Sequence, residues 1–202
     1  MIITLTGFMG CGKSSVGRIL STSLPEAFPD RAFHFLDLDE SVSGHAGKAI
    51  PAIFSEDGEE HFRRLEHVCL QEATEQFLRH PKEKDGRESC LILSLGGGTV
   101  LNPACFHRVR RKTCCIYLRG SVDTLAEHLR PEAADRPLLG LPSNGSTDLA
   151  ALRSRIEILM EARRERYESV ARHIIDIDRK TPVQIAREIR LWLNDFFRGR
   201  VR

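Results

Sequence analysis

Five short runs of apolar residues alternate along the chain with segments whose apolar residues recur at helical spacing. The runs have strand length and few polar interruptions, which is typical of parallel strands buried on both faces. We expect strands at Ile2–Thr6, Phe33–Asp39, Leu91–Leu95, Thr113–Leu118 and His173–Ile177. The pattern therefore predicts an α/β fold, with a five-stranded parallel sheet flanked by helices.

Six segments between and after these runs show the spacing of amphipathic helices. Phe62 and Cys69, for example, lie seven residues apart and would share one helix face. The predicted helices are Lys13–Leu24, Glu59–Leu78, Cys105–Arg111, Val122–Leu129, Leu149–Ala171 and Pro182–Phe197. Because the chain has 202 residues and no internal repeat, we expect a single domain over residues 1–202.

Two stretches have the composition of surface loops. His80–Glu88 is highly charged and contains proline and glycine. Arg130–Ser146 is rich in proline, glycine and small residues, and a loop of this length inside a compact domain is usually functional or disordered. We expect residues 130–146 to form a mobile lid.

Composition and charge exclude several classes of protein. The net charge is +2, so bulk charge does not indicate a nucleic-acid or membrane binder. The basic cluster from Arg108 to Lys112 lacks interleaved aromatic residues and favours a solvated helix end. No run approaches the roughly 20 apolar residues that span a bilayer, and we expect no secretory signal. The six cysteines form no C-x-x-C pair and are expected to be reduced and buried in a cytoplasmic protein.

The segment that follows the first strand matches a phosphate-binding loop in full. Gly7–Ser14 reads GFMGCGKS, which fits G-x-x-x-x-G-K-[ST]. Its glycines allow backbone N–H groups to face phosphate oxygens, and the helix that follows adds its positive N-terminal end. Lys13 is expected to reach the β- and γ-phosphates, and the Ser14 hydroxyl to bind Mg²⁺. The expected nucleotide-binding residues are Gly10, Cys11, Gly12, Lys13, Ser14 and Ser15.

The motif predicts purine triphosphate binding but does not separate a kinase from an ATPase or a GTPase. The chain has no N-K-x-D sequence, so guanine-specific recognition is disfavoured.

Two strand ends carry residues that suit a polar acceptor. Asp37 and Asp39 end the second strand, where one carboxylate could hold Mg²⁺ and the other accept a proton, or both could serve only as a polar helix cap. Gly96, Gly97 and Gly98 end the third strand, where they allow a ligand to approach the backbone closely or form only a flexible turn.

An arginine on the second predicted helix has two possible roles. Arg63 follows Gly58-Glu59-Glu60 on a strongly charged helix. Its guanidinium could clamp a carboxylate in bidentate fashion. Alternatively, Arg63 could lie on the solvated surface of the helix, and its position in the sequence does not decide between these two roles.

The combination of motifs resembles the shikimate kinase family over almost the whole chain, from Gly7 to Pro182. The family-like motifs are G-F-M-G-C-G-K-S, D-L-D, I-F-x-x-x-G-E-x-x-F-R-x-x-E, G-G-G, R-P-L-L and R-x-x-x-Y. The resemblance implies a P-loop kinase fold with a lid. It also implies ATP-dependent phosphorylation of the shikimate 3-hydroxyl, with Mg²⁺, in aromatic amino acid biosynthesis.

The resemblance implies roles for individual residues, with the acceptor bound by residues 37–66. Ser14 and Asp37 would belong to the magnesium environment. The implied catalytic residues are Lys13, Asp39 as general base and Arg136 from the lid. The implied shikimate-binding residues are Asp39, Arg63, Gly96, Gly97, Gly98, Arg136 and Arg163. By position only, Arg130 would pack on adenine, and Arg179 and Pro182 would border it.

The family pattern leaves some points open. This chain has Glu165-Arg166 where the family often has Pro-Leu, so Arg164 competes with Arg163 for the substrate carboxylate. The rival functions are phosphorylation of another small polyol acid, such as gluconate, and a nucleotide-dependent switch without an acceptor. We expect a monomer whose partner is the small-molecule substrate.

Overall fold

The sheet has five strands, all parallel, in the order β2-β3-β1-β4-β5. The computed structural model describes residues 1–131, 139 and 148–199. The strands are β1 (Ile2–Thr6), β2 (Arg31–Asp37), β3 (Glu88–Ser94), β4 (Cys114–Arg119) and β5 (His173–Asp176). The predicted five-stranded parallel sheet is therefore confirmed.

Eight α-helices and a short 3₁₀ turn at Thr99–Leu101 complete the part of the chain that the structure describes. The helices are α1 (Lys13–Ala27), α2 (Leu38–Ala46), α3 (Ile50–Glu56), α4 (Gly58–Arg79), α5 (Pro103–Lys112), α6 (Val122–Leu129), α7 (Leu149–Val170) and α8 (Pro182–Phe197). All six predicted helices are present, with ends that shift by at most a few residues.

The helices form two groups around the sheet. Helix α1 packs against β2, β3 and α8, while α5 and α7 contact each other and β4. Every residue of β1 is buried, as expected for the central strand of a sheet covered on both faces. The apolar face of α1 contributes Val16, Leu20 and Leu24 to the core.

The register of the central strands brings three chain segments to one edge of the sheet. Ser94, at the end of β3, is opposite Leu5 of β1 and opposite Asp37 of β2. The connections that leave these strands therefore begin side by side. In open α/β sheets this carboxyl edge is where ligands bind.

The predicted end of the second strand was wrong by two residues. The strand ends at Asp37 because the Asp37 side chain caps α2, with Oδ1 accepting a hydrogen bond from the Asp39 N–H at 2.9 Å. Asp39 thus lies in the first turn of a helix and not on the strand face. Helices α2 and α3 were not predicted.

The predicted lid falls almost entirely outside the described residues. Of residues 130–146, only Arg130, Pro131 and Leu139 are described, and Leu139 is buried, with its carbonyl accepting a hydrogen bond from Arg155 at 3.0 Å. Within the described ranges, no helix has both the length and the apolar character that a membrane span requires.

Leu20 provides a test of the packing of α1 on the sheet. The Leu20 side chain is fully buried, whereas Leu191 on α8 is 56% exposed. We expect Leu20→Ala to lower the free energy of unfolding by about 2–5 kcal/mol, because the substitution leaves a cavity. The matched Leu191→Ala change should cost no more than about 0.5 kcal/mol. Urea denaturation measures both values, and equal losses would contradict this packing.

Candidate active site

The phosphate-binding loop joins β1 to α1 and ends in an open helix N-terminus. Gly12 is the N-cap of α1 with φ 83°, a left-handed conformation that glycine adopts without strain. No side chain caps this helix, and its first turn holds no acidic residue. The first-turn N–H groups and the helix dipole therefore favour an anion at this end.

Lys13 lies folded into the loop. Its side chain is buried, and Nζ donates hydrogen bonds to the carbonyl oxygens of Gly7 at 3.1 Å and Phe8 at 3.0 Å. The Cys11 thiol is 3.7 Å from the same nitrogen. The loop thus holds one positive charge beside the helix N-terminus.

A cavity of about 400 Å³ extends from this loop. On one side the cavity is lined by Asp39, Gly97 and residues of the phosphate-binding loop; we call this the acceptor side. On the other side the lining comes from α6 and from the chain after β5: His128, Leu129, Ile177, Lys180, Pro182 and Ile185. The cavity therefore joins the phosphate loop to Asp39.

The predicted magnesium residues lie in direct contact. The Ser14 hydroxyl donates a hydrogen bond to Asp37 Oδ2 at 2.5 Å, and the Ser94 hydroxyl is 3.3 Å from that of Ser14. This is a cluster of oxygen atoms, the ligand type that Mg²⁺ prefers. Among the described residues no group of three or more acidic, histidine or cysteine side chains could form a complete metal cage. The oxygen cluster could therefore supply only part of the coordination of a metal ion.

Gly96–Gly98 pack tightly against predicted site residues. A Cβ atom at Gly96 would lie 2.8 Å from Asp39 Oδ1, and one at Gly98 would lie 2.5 Å from Arg63 Nη2. A Cβ atom at Gly97 would lie 3.1 Å from the Met9 backbone nitrogen. A side chain at any of these positions would require Asp39, Arg63 or the phosphate loop to shift, so the Gly96–Gly98 segment, the glycine loop, lies close to all three.

Arg63 faces the glycine loop and keeps its charge. Its Nη1 donates to Glu66 at 2.8 Å and its Nη2 to Glu59 at 3.1 Å. Burial alone would lower the pKa of Arg63, but the two carboxylates more than offset this effect and raise that pKa. Arg64, in contrast, is exposed and pairs with Glu60 at the surface.

Glu66 has a role that the sequence analysis missed. Its side chain is completely buried, and besides Arg63 it accepts a hydrogen bond from the Thr99 hydroxyl at 2.6 Å. Glu66 therefore joins the arginine to the turn that follows Gly98. The signal in the sequence is the spacing of three residues between Arg63 and Glu66, which places both on one face of a helix.

The structure separates the two adjacent arginines of α7. Arg163 is buried, its Cζ lies 5.4 Å from the centre of the Phe8 ring, and its Nη1 has no hydrogen-bond partner among the described residues. Arg164 is 57% exposed and pairs with Glu161 at 3.5 Å. Of these two arginines, only Arg163 is buried and has a donor for which the described part of the chain supplies no partner.

Two predicted nucleotide-side arginines, Arg130 and Arg179, do not line the cavity, and neither do the predicted carboxylate ligands Arg63 and Arg163. Arg130, directly after α6, is exposed, and Arg179 is exposed in the turn after β5 with φ 59°. The edge of the cavity near α6 and the chain after β5 is instead lined by residues that the sequence analysis did not name. These are His128, Lys180 and Ile185. Arg136 lies outside the described residues, so its predicted role stays a prediction.

Comparison with known proteins gives a consistent result. A family model described as shikimate kinase matches residues 9–194. The shikimate kinase of Chlorobaculum parvum is 35% identical over 179 residues, covering 89% of this chain and 85% of the relative. That of Chlorobaculum tepidum is 38% identical over 166 residues, covering 82% and 76%.

A solved structure supports the same relationship. Shikimate kinase from Acinetobacter baumannii, in complex with shikimate, aligns with a TM-score of 0.75 and 27% identity over 96% of this chain and 93% of that one. The family model, the sequence relatives and the solved structure all extend over most of the chain. This chain belongs to the shikimate kinase family.

Proposed function

We propose that the chain transfers the γ-phosphoryl group of ATP to the 3-hydroxyl of shikimate, giving shikimate 3-phosphate and ADP. As a member of this family, it is an ATP-dependent kinase that acts on an alcohol group. The observation that carries the acceptor assignment is the packing of Gly96–Gly98 against Asp39, Arg63 and the phosphate loop. A carboxylated ring alcohol placed there would have its hydroxyl near the phosphate and its carboxylate near arginine.

The shikimate carboxylate would be held by Arg63 and Arg163. The carboxylate of Glu59, which pairs with Arg63, is 55% exposed, so this ion pair can exchange for a substrate carboxylate at little cost. Glu66 is buried and would keep the Arg63 guanidinium in place during the exchange. The Nη1 of Arg163, for which residues 1–131, 139 and 148–199 provide no partner, would supply a further donor.

Asp39 would accept the proton of the 3-hydroxyl. It lies on the acceptor side of the cavity, in contact with the glycine loop, within the same cavity as Lys13. Phosphoryl transfer depends mainly on positioning and on charge stabilisation. Lys13 would supply positive charge at the transferring phosphate, and Arg136 from the lid would add to it.

Ser14 and Asp37 would hold Mg²⁺ together with the nucleotide phosphates. The oxygen cluster that they form with Ser94 suits a hard cation that keeps several water ligands. When bound, the ion would neutralise charge on the β- and γ-phosphates. The side chains of Ser14 and Asp37 contribute by fixing where that ion can lie.

Two further properties complete the proposal. We propose that the kinase acts as a monomer. Its six cysteines are free and buried, which suits a reducing compartment and supports a cytoplasmic location.

An assay of ADP release tests the proposed reaction directly. Purified chain should consume ATP when shikimate and Mg²⁺ are both present, and chelation of Mg²⁺ should stop turnover. Gluconate, offered under the same conditions, should support no comparable rate. Turnover with gluconate alone, or ATP hydrolysis that no acceptor stimulates, would refute the proposed function.

The carboxamide variant Asp39→Asn tests the proposed base. The substitution keeps the size of the side chain but removes its ability to accept a proton. Turnover should fall by roughly 10²–10⁴-fold, the usual contribution of a general base, while nucleotide affinity stays the same. Steady-state kinetics and nucleotide titration give the two quantities. Wild-type turnover in this variant would remove Asp39 from the mechanism.

Adjacent arginines provide a matched pair for the carboxylate site. We expect Arg163→Met to raise the KM for shikimate by about 10- to 100-fold, because a charge-assisted hydrogen bond is lost while the apolar stem is kept. Arg164→Met should leave that KM unchanged, since Arg164 is exposed. Initial rates at saturating ATP measure the effect. A larger effect at position 164 would reverse the assignment.

A further inference from the structure

Tyr167 connects helix α7 to the glycine loop. Its side chain is fully buried, and its hydroxyl donates a hydrogen bond to the carbonyl oxygen of Gly97. Its ring stacks on Tyr117 of β4, with 5.2 Å between the ring centroids and 29° between the planes. The hydroxyl is therefore held at one point between α7, the sheet and the loop.

The hydrogen bond to Gly97 also sets the direction of the next N–H group. The peptide that joins Gly97 to Gly98 is planar and trans, so its C=O and N–H point in opposite directions. Because Tyr167 holds the carbonyl, the Gly98 N–H points away from the Tyr167 hydroxyl. Gly98 is the residue that packs against the guanidinium of Arg63.

The electrostatic environment of the same hydroxyl includes Arg163. These two residues are four positions apart on α7, which places their side chains on one face of the helix. Burial raises the pKa of Tyr167 above its ordinary range, and the positive charge of Arg163 opposes this rise. One phenol group thus acts on both the arginine and the glycine loop.

We propose that Tyr167 is a positioning residue for the acceptor carboxylate. Its hydroxyl fixes the Gly97–Gly98 peptide and the Arg163 guanidinium relative to each other. The inference rests on the proposed function, because it assigns Tyr167 to the shikimate side of the site. Loss of the hydroxyl therefore weakens shikimate binding while ATP binding and the chemical step are unaffected.

Two phenylalanine variants test this role. Tyr167→Phe keeps the stacked ring but leaves a buried carbonyl without its donor, so the KM for shikimate should rise by about 5- to 30-fold. The kcat and the KM for ATP should stay at wild-type values. Tyr117→Phe is the matched control, since its hydroxyl is buried with no hydrogen-bond partner among the described residues. All kinetic constants of that variant should equal those of wild type.

The outcomes separate this inference from the proposed function. A shikimate KM that is unchanged in Tyr167→Phe, or that rises equally in Tyr117→Phe, would overturn the positioning role. So would a rise in the KM for ATP that matches the rise for shikimate. If wild-type protein does not phosphorylate shikimate, the proposed function fails instead.

A spectroscopic measurement does not require Tyr167 to be replaced. The chain has two tyrosines, so the Tyr117→Phe variant labelled with 3-fluorotyrosine carries its fluorine label at Tyr167 alone. We expect the fluorine resonance to shift when shikimate is added, and to shift less when ADP is added. A resonance that does not respond to shikimate under conditions of measured turnover would overturn the proposal, even if Tyr167→Phe does not fold.

Discussion

The active site depends on one constraint, which is the close packing of the glycine backbone after β3 against groups from three other segments. The parallel register brings these segments together, because Ser94 lies opposite both Leu5 and Asp37 at the same edge of the sheet. The absence of side chains at Gly96–Gly98 then lets a carboxylate, a guanidinium and the phosphate loop approach one backbone segment. A side chain at Gly96 or Gly98 would meet the ends of the Asp39 and Arg63 side chains, and one at Gly97 would press on the backbone of the phosphate loop.

This packing buries the charged side chain of Glu66, and hydrogen bonds compensate for its burial. Glu66 has no solvent exposure, and it accepts hydrogen bonds from Arg63 and from Thr99. A buried ion pair adds little net stability, but leaving one partner alone would be strongly destabilising. The pair therefore makes sense as a way to fix Arg63 beside Gly98. Arg163 is different, since the described residues provide no partner for its Nη1, as expected for a group that binds a ligand.

Much of the fold was predictable because strong local signals agreed with the tertiary structure. The five apolar runs became the five strands, and the glycine-rich loop was found from its spacing alone. The end of β2 was not predictable from strand periodicity, because the Asp37 side chain caps a helix at that point. Helix α2 is short and contains Ser41, Ser43 and Gly44, so its sequence has weak helix propensity and its existence depends on packing against α4.

The candidate site also contains residues that the sequence predicted and residues that it did not. Motif resemblance predicted Asp39, Arg63 and Arg163, because each of them belongs to a short sequence motif. It did not predict His128 or Lys180 at the nucleotide end, because these residues come from separate elements that only the folded sheet brings together. The R-x-x-x-Y spacing favoured Arg163 over Arg164 without excluding the latter, and burial now distinguishes the two residues.

The central claim is that the acceptor carboxylate and the terminal phosphate meet across the glycine loop. A crystal structure of the chain with shikimate, ADP and Mg²⁺ tests this claim most directly. The account predicts electron density for shikimate between Arg63 and Arg163, with a ring hydroxyl within hydrogen-bond distance of Asp39. Shikimate bound away from Gly96–Gly98, or bound with its carboxylate toward Asp39, would contradict it.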